Sequence, residues 1–215
     1  MSGIKRAGGE RSNNYSGSKY TNWSRYNPFD LEISSLSEDL KPRLSIEIDS
    51  MSISVYVRSL HPGFVYPVQL KDVKEVLDLV PPAFLSNLCS VYLLGGTSKQ
   101  LKASKKYFRY GCYESGIIYL YAFPKRMLKE HWGKRPKPTT IQEYERMGAK
   151  WIQDESSWYL EFDRLSLRRF YLYDVLLHEL GHHVDQRLSK RDVASAERYA
   201  EWFAQEHART IPKSC

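Results

Sequence analysis

No run in the chain approaches the roughly 18 consecutive apolar residues that a membrane-spanning helix needs. The opening MSGIKRAGGERSNNYSGSKY has neither the apolar core of a secretory signal nor the Ala/Leu/Arg pattern of a transit peptide. The expectation is therefore a cytoplasmic protein without a membrane span. Cysteine is scarce: Cys89, Cys112 and Cys215 stand far apart and form no CxxC pair. That argues against a thiolate zinc site, a redox dithiol and a disulfide framework, and the three are read as reduced. There is no internal repeat.

What is present fits one cored domain. The 215 residues are 42% apolar, too ordered a composition for a disordered chain and too short a length for two ordinary domains. Residues 1–28 carry five Lys/Arg against one Glu, with Ser, Asn and Gly throughout and no periodicity. They are expected to be the body of a flexible basic arm, 1–41, ahead of a domain spanning 42–215. Tyr15, Tyr20, Trp23 and Tyr26 in that arm either stack on bases or dock on the domain, and composition leaves both open.

Ile53, Val55 and Val57 alternate as in a strand, and Val73, Val76, Leu77 and Val80 share one helix face, ended by Pro81 and Pro82. Ser90–Leu94 is expected to be a short buried strand. Tyr107–Tyr113 and Ile117–Phe123 are expected to pair as a hairpin, and Trp151–Ile152 with Trp158–Phe162 as another. Lys125–Thr140 reads as a basic loop, and 166–188 and 193–209 as helices. Strands precede helices without regular βαβ alternation, which favours an α+β fold.

Within Val175–Asp185 lies His178-Glu179-Leu180-Gly181-His182, an H-E-x-x-H motif. Residues four apart are neighbours on one helix face, so both imidazoles can reach a single Zn²⁺ at roughly 2.0–2.1 Å. Glu179 is offset round the helix, where it can take a proton from a water that zinc has acidified to a pKa near 7. Burying two His and a Glu on an apolar helix is unfavourable without partners, and a metal supplies them. The bland alternative is a helix whose polar groups bond to the core.

A catalytic zinc takes a third protein ligand. The metzincin extension would place Gly and His where Asp185 and Leu188 stand, and Leu cannot ligate zinc. Asp185, one turn past His182, has three roles open to it: orienting a ligand, binding the metal or capping the helix. The last helix offers Glu197 and Glu201, four apart and beside the small Ala196, Ala200 and Ala204, which permit close helix packing. Glu197 is the expected ligand, and Glu201 is expected to accept the free ring N–H of a ligand histidine. The competing reading pairs both with Arg187, Lys190 or Arg198 at the surface. His207 is a weaker third ligand, and His183 points off the metal face.

His178–Glu201 resembles the gluzincins, thermolysin-related zinc peptidases in which HExxH is followed by a helix bearing ExxxD or ExxAD. This chain reads Glu197-Arg-Tyr-Ala-Glu201, with Glu in place of the usual Asp. The short chain is similar to the minigluzincins, whose zincin-like fold keeps a backing helix, a small mixed sheet, the active-site helix and a ligand helix. That resemblance implies Val73–Val80 as backing helix, Gly116–Phe123 as the edge strand above the zinc, and a peptide substrate extended along that strand.

The net charge of +7 is concentrated: Lys99–Lys137 holds eleven Lys/Arg against Glu114 and Glu130. That segment is either a solvated surface or a contact for nucleic acid or another polyanion. The function expected first is a zinc endopeptidase acting on a protein or peptide. The alternative is a nucleic-acid- or protein-binding module on a zincin scaffold, with little or no hydrolysis.

Overall fold

The computed structural model describes residues 27–36, 41–105, 107–188 and 192–210. The first element is a helix, α1 (Pro28–Ser34), capped by the Asn27 side chain and started by a proline whose missing N–H is no loss at that position. Strands β1 (Leu44–Ile48) and β2 (Met51–Val57) form an antiparallel hairpin, followed by the short β3 (Phe64–Val65). Helix α2 (Leu70–Leu79) buries Val73, Val76 and Leu77, the face its spacing predicts. Strand β4 (Ser90–Leu93) and helix α3 (Ser98–Ala103) follow. Next come β5 (Gly111–Glu114), β6 (Ile117–Leu120), β7 (Phe123–Pro124) and β8 (Lys129–Gly133), then α4 (Pro138–Arg146), β9 (Lys150–Asp154) and β10 (Ser157–Glu161). Helix α5 (Arg164–Arg169) runs through a π-helical segment, Phe170–Leu176, into α6 (Leu177–Leu188); α7 (Val193–Thr210) ends the described chain.

The architecture is α+β. A small mixed sheet has the order β1-β2-β4-β6-β5, with β2, β4 and β6 parallel and both outer strands antiparallel. A three-stranded antiparallel sheet, β8-β10-β9, stands beside it. Alternation sorts the main sheet's residues. Val55, Val91 and Ile118 are in register and buried, whereas the next row, Tyr56, Tyr92, Tyr119 and Cys112, lies on the other face.

Three expectations change. First, β5 is the edge strand and β6 is internal, so Gly116–Phe123 is not the edge. Hairpin spacing alone does not say which member of a hairpin finds a further partner, and β6 finds β4. Second, Lys125–Thr140 is not all loop. Glu130 pairs with Leu160 across the sheet, a partner thirty residues away, and Pro138 starts α4 rather than breaking it. Third, the expected arm includes a docked element: Phe29 is fully buried in α1, edge-on to Tyr107, Phe108 and Tyr121. Residues 1–26, with the four aromatics noted above, lie outside the described residues.

Charge holds α1 in place. Glu32 is buried, which for an unpartnered carboxylate is unfavourable by several kcal/mol. Three donors offset this: Oε1 accepts from the Gly95 and Gly96 N–H groups, each at 3.1 Å, and Oε2 from Gln100 Nε2 at 2.7 Å. Asp30 adds an ion pair with Arg109 at 2.7 Å.

Candidate metal centre

Helix α6 enters the core through the π-helical segment, every residue of which is buried. The start of α5, which leads into that segment, is fixed by Asp163, whose carboxylate accepts from the Ser166 N–H at 2.7 Å. That bond, against a smaller opposing effect of burial, holds the Asp163 pKa below the ordinary carboxylate range. Arg168 on α5 ties the helix to α2 through Asp72 at 2.8 Å. The motif helix thus reaches the site as part of a rigid element.

Close packing of α6 on α7 supplies the third group. A Cβ added to Gly181 would lie 2.7 Å from Ala200 Cα, nearer than any side chain tolerates, so only glycine lets the two helices meet here. One turn away, that contact sets Glu197 against the motif histidines. His178 Nε2 lies 3.1 Å from His182 Nε2, and Glu197 oxygens lie 3.4 Å from each of the two. Three atoms each about 2.0–2.1 Å from one tetrahedral zinc stand about 3.3 Å apart. The trio has the spacing of one face of that tetrahedron, and the 3.4 Å separations are long for ordinary charge-assisted hydrogen bonds.

The electrostatics match the donor set. Burial alone would raise the Glu197 pKa, but hydrogen bonds from His178 and His182, with their positive charge, carry it well below the usual range. Burial alone would lower the His182 pKa, and the Glu197 bond with the charges of Glu179, Glu197 and Asp185 raises it instead. The pocket is therefore short of positive charge, which a divalent cation would supply.

Among the described residues, only His178, His182 and Glu197 bring ligand atoms within 4.8 Å of one another. Glu179, Asp185 and Glu201 are not in that group. Glu179 is buried beside the edge strand. Asp185 is also buried, close enough to act on His182 by charge. Glu201 is half-buried one turn along α7, accepting from Gln205 Nε2 at 3.4 Å. His207 packs tilted against Phe203, with ring centroids 4.2 Å apart, and so belongs to packing. His183 is buried too, with Nδ1 3.1 Å from Tyr113 Oη and Nε2 3.1 Å from the Ser86 carbonyl. Since Nε2–H must donate to the carbonyl, Nδ1 accepts from the Tyr113 hydroxyl, and this tie straps α6 to β5. Its pattern of a His in α6 and a Tyr in β5 was present in the sequence, but nothing local pairs them.

Gly111 was missed for the same reason. A Cβ there would lie 2.8 Å from Glu179 Oε1, 2.9 Å from its Cγ and 2.7 Å from Val175 Cγ1. The bare backbone at 111 lets the edge strand approach the Glu179 carboxylate. Gly111→Ala is expected to displace that carboxylate and lower any hydrolytic rate at least about tenfold, a displacement of about 1 Å being enough. Zinc content should be unchanged, since no ligand is touched. Parallel rate and metal measurements test this, and a native rate would show that Glu179 has room to spare.

No protein-family model, curated protein or solved structure matches the chain.

Proposed function

We propose that the protein is a zinc-dependent endopeptidase of gluzincin type, in which His178, His182 and Glu197 hold the metal and Glu179 is the general base. The observation that carries this reading is the convergence of three donor atoms from two helices at zinc-ligand spacing. Zinc at that position supplies Lewis acidity, acidifying water and polarising a carbonyl. The chain's own groups do the rest. Glu179 is held against β5, where it takes the proton of the attacking water and passes it to the leaving amine. The outer edge of β5 bears main-chain groups that pair with no strand among the described residues. An extended peptide can add there as a further strand, which brings its scissile bond to Glu179.

The test combines elemental analysis with a peptide-library digest of purified protein. About one zinc per chain is expected, together with cleavage products that vanish on chelation. Protein reconstituted with zinc that retains none would end the proposal.

A second reading, contact with a polyanion, rests on the exposed side chains of Lys99, Lys102, Lys105, Lys125, Lys129, Lys134, Arg135 and Lys137. Arg109 leaves the expected set because it is buried and paired with Asp30. Binding of labelled DNA or RNA is expected to weaken steeply as salt rises, through counterion release. Fluorescence anisotropy at several ionic strengths measures it, and no binding at low salt would leave these residues as solvated surface.

A further inference from the structure

Glu179 and His183 are four residues apart, so α6 presents both from one face. Gly111 and Tyr113 are two apart on β5 and share a face of the strand. The two faces meet at two points. At the first, the Gly111 backbone stands where a Cβ would lie 2.8 Å from Glu179 Oε1. At the second, Tyr113 Oη lies 3.1 Å from His183 Nδ1, with the rings edge-on and their centroids 5.3 Å apart. The first point only permits approach, because glycine has no side chain with which to hold the helix. The second is a bond.

That bond belongs to a closed circuit. The His183 Nε2–H donates to the Ser86 carbonyl at 3.1 Å, which leaves Nδ1 to accept the Tyr113 hydroxyl proton. The same hydroxyl accepts from the Gly116 N–H at 3.0 Å, in the turn between β5 and β6. The Gly116 carbonyl accepts from the Cys89 N–H at 2.8 Å, three residues beyond Ser86. Helix, loop, turn and edge strand are thus joined in a ring. The hydroxyl both accepts and donates, and both imidazole nitrogens are used. His183 is buried, so water does not compete for its bonds. Among the described residues β5 pairs with β6 alone and is four residues long. A short strand with a ladder on one side opens readily, and a tie across its face opposes that opening.

We propose that Tyr113 and His183 are positioning residues: together they hold β5 at the distance from α6 that sets a peptide on its outer edge in register with Glu179. This role rests on the peptidase reading; the hydrogen-bond circuit does not. A peptide added to β5 bonds to the strand's own main chain, so its binding survives loss of the tie. What changes is the placement of the scissile bond against Glu179 and the metal. There a misplacement of about 1 Å costs up to about 10²-fold in rate.

Tyr113→Phe keeps the ring and removes only the hydroxyl. The assay uses zinc-loaded protein and a fluorogenic peptide built on the best-cleaved library sequence. In the variant, kcat per bound zinc is expected to fall about tenfold with KM unchanged. Mass spectrometry of the products is expected to show cleavage spreading to neighbouring bonds, which a loss of stability alone would not produce. Tyr56→Phe, on the opposite face of the main sheet, is expected to leave rate and cleavage pattern as they are. Amide hydrogen exchange gives a reading independent of activity. In Tyr113→Phe the Gly116 N–H, deprived of its acceptor, is expected to exchange about fivefold faster, as loss of one neutral hydrogen bond implies. Native kcat and a native cleavage pattern in Tyr113→Phe would overturn the proposal. So would a raised KM with kcat unchanged, because the tie would then serve peptide binding and not register. Native protein that cleaves no peptide counts against the peptidase reading and takes the role in register with it. Unchanged exchange at Gly116 in an active protein overturns the tie and leaves that reading standing.

Discussion

Glu197→Ala is expected to weaken zinc binding by more than about 100-fold, beyond the 10–100-fold that loss of a group supporting a ligand produces. Two helices must meet for the donor set to form, and Glu197 is the contribution of α7. Its carboxylate lies 3.4 Å from both imidazole nitrogens, and its hydrogen bond and charge, with the charges of Glu179 and Asp185, oppose the effect of burial on His182. Removing it leaves two imidazoles 3.1 Å apart, too few ligands for a tetrahedral site. Asp185→Ala and Glu201→Ala remove carboxylates outside the trio and are expected to fall within the 10–100-fold range. Zinc titration against a competing chelator ranks the variants. Native affinity in Glu197→Ala, with loss in Asp185→Ala, would show the metal held by α6 alone and the gluzincin reading to be wrong.

Glu179→Gln should abolish hydrolysis while leaving zinc in place. The expected loss in rate is about 10²–10⁴-fold, the contribution of a positioned general base. Glutamine has the size of glutamate, so it fits the space that Gly111 leaves, and the ligand trio is not altered. The amide cannot accept the proton of the attacking water. Cleavage that continues at the native rate in Glu179→Gln, with stoichiometric zinc, would remove Glu179 from the mechanism without touching the metal assignment. Loss of zinc would instead mean that Glu179 helps to hold the ion.

Which parts of this arrangement can be read along the chain follows from range. His178, Glu179 and His182 are legible because a helix has one period, and four residues always make one turn. The buried face of α2 and the β9–β10 hairpin are legible for similar reasons, since each is decided within about a dozen residues. Glu197 is legible only as a candidate: small alanines beside it announce close packing, but not against what. The π-helical segment leaves no signal, because a stretch buried on all sides has no amphipathic period to break.

The remaining features belong to the tertiary structure. Sheet order made β5 rather than β6 the edge, and strand pairing at long range turned a basic loop into β8. A buried carboxylate, Glu32, found its donors more than sixty residues away and docked α1 where composition suggested an arm. Gly111 and Gly181 are unremarkable in sequence, and each is required by a backbone from elsewhere that approaches too closely for a Cβ. The sequence by itself determined the chemistry available, because residue type and helical period place two imidazoles and a carboxylate on one turn. The tertiary structure alone decided what faces them, because contacts between distant segments depend on shape and burial over the whole chain, which no local pattern records.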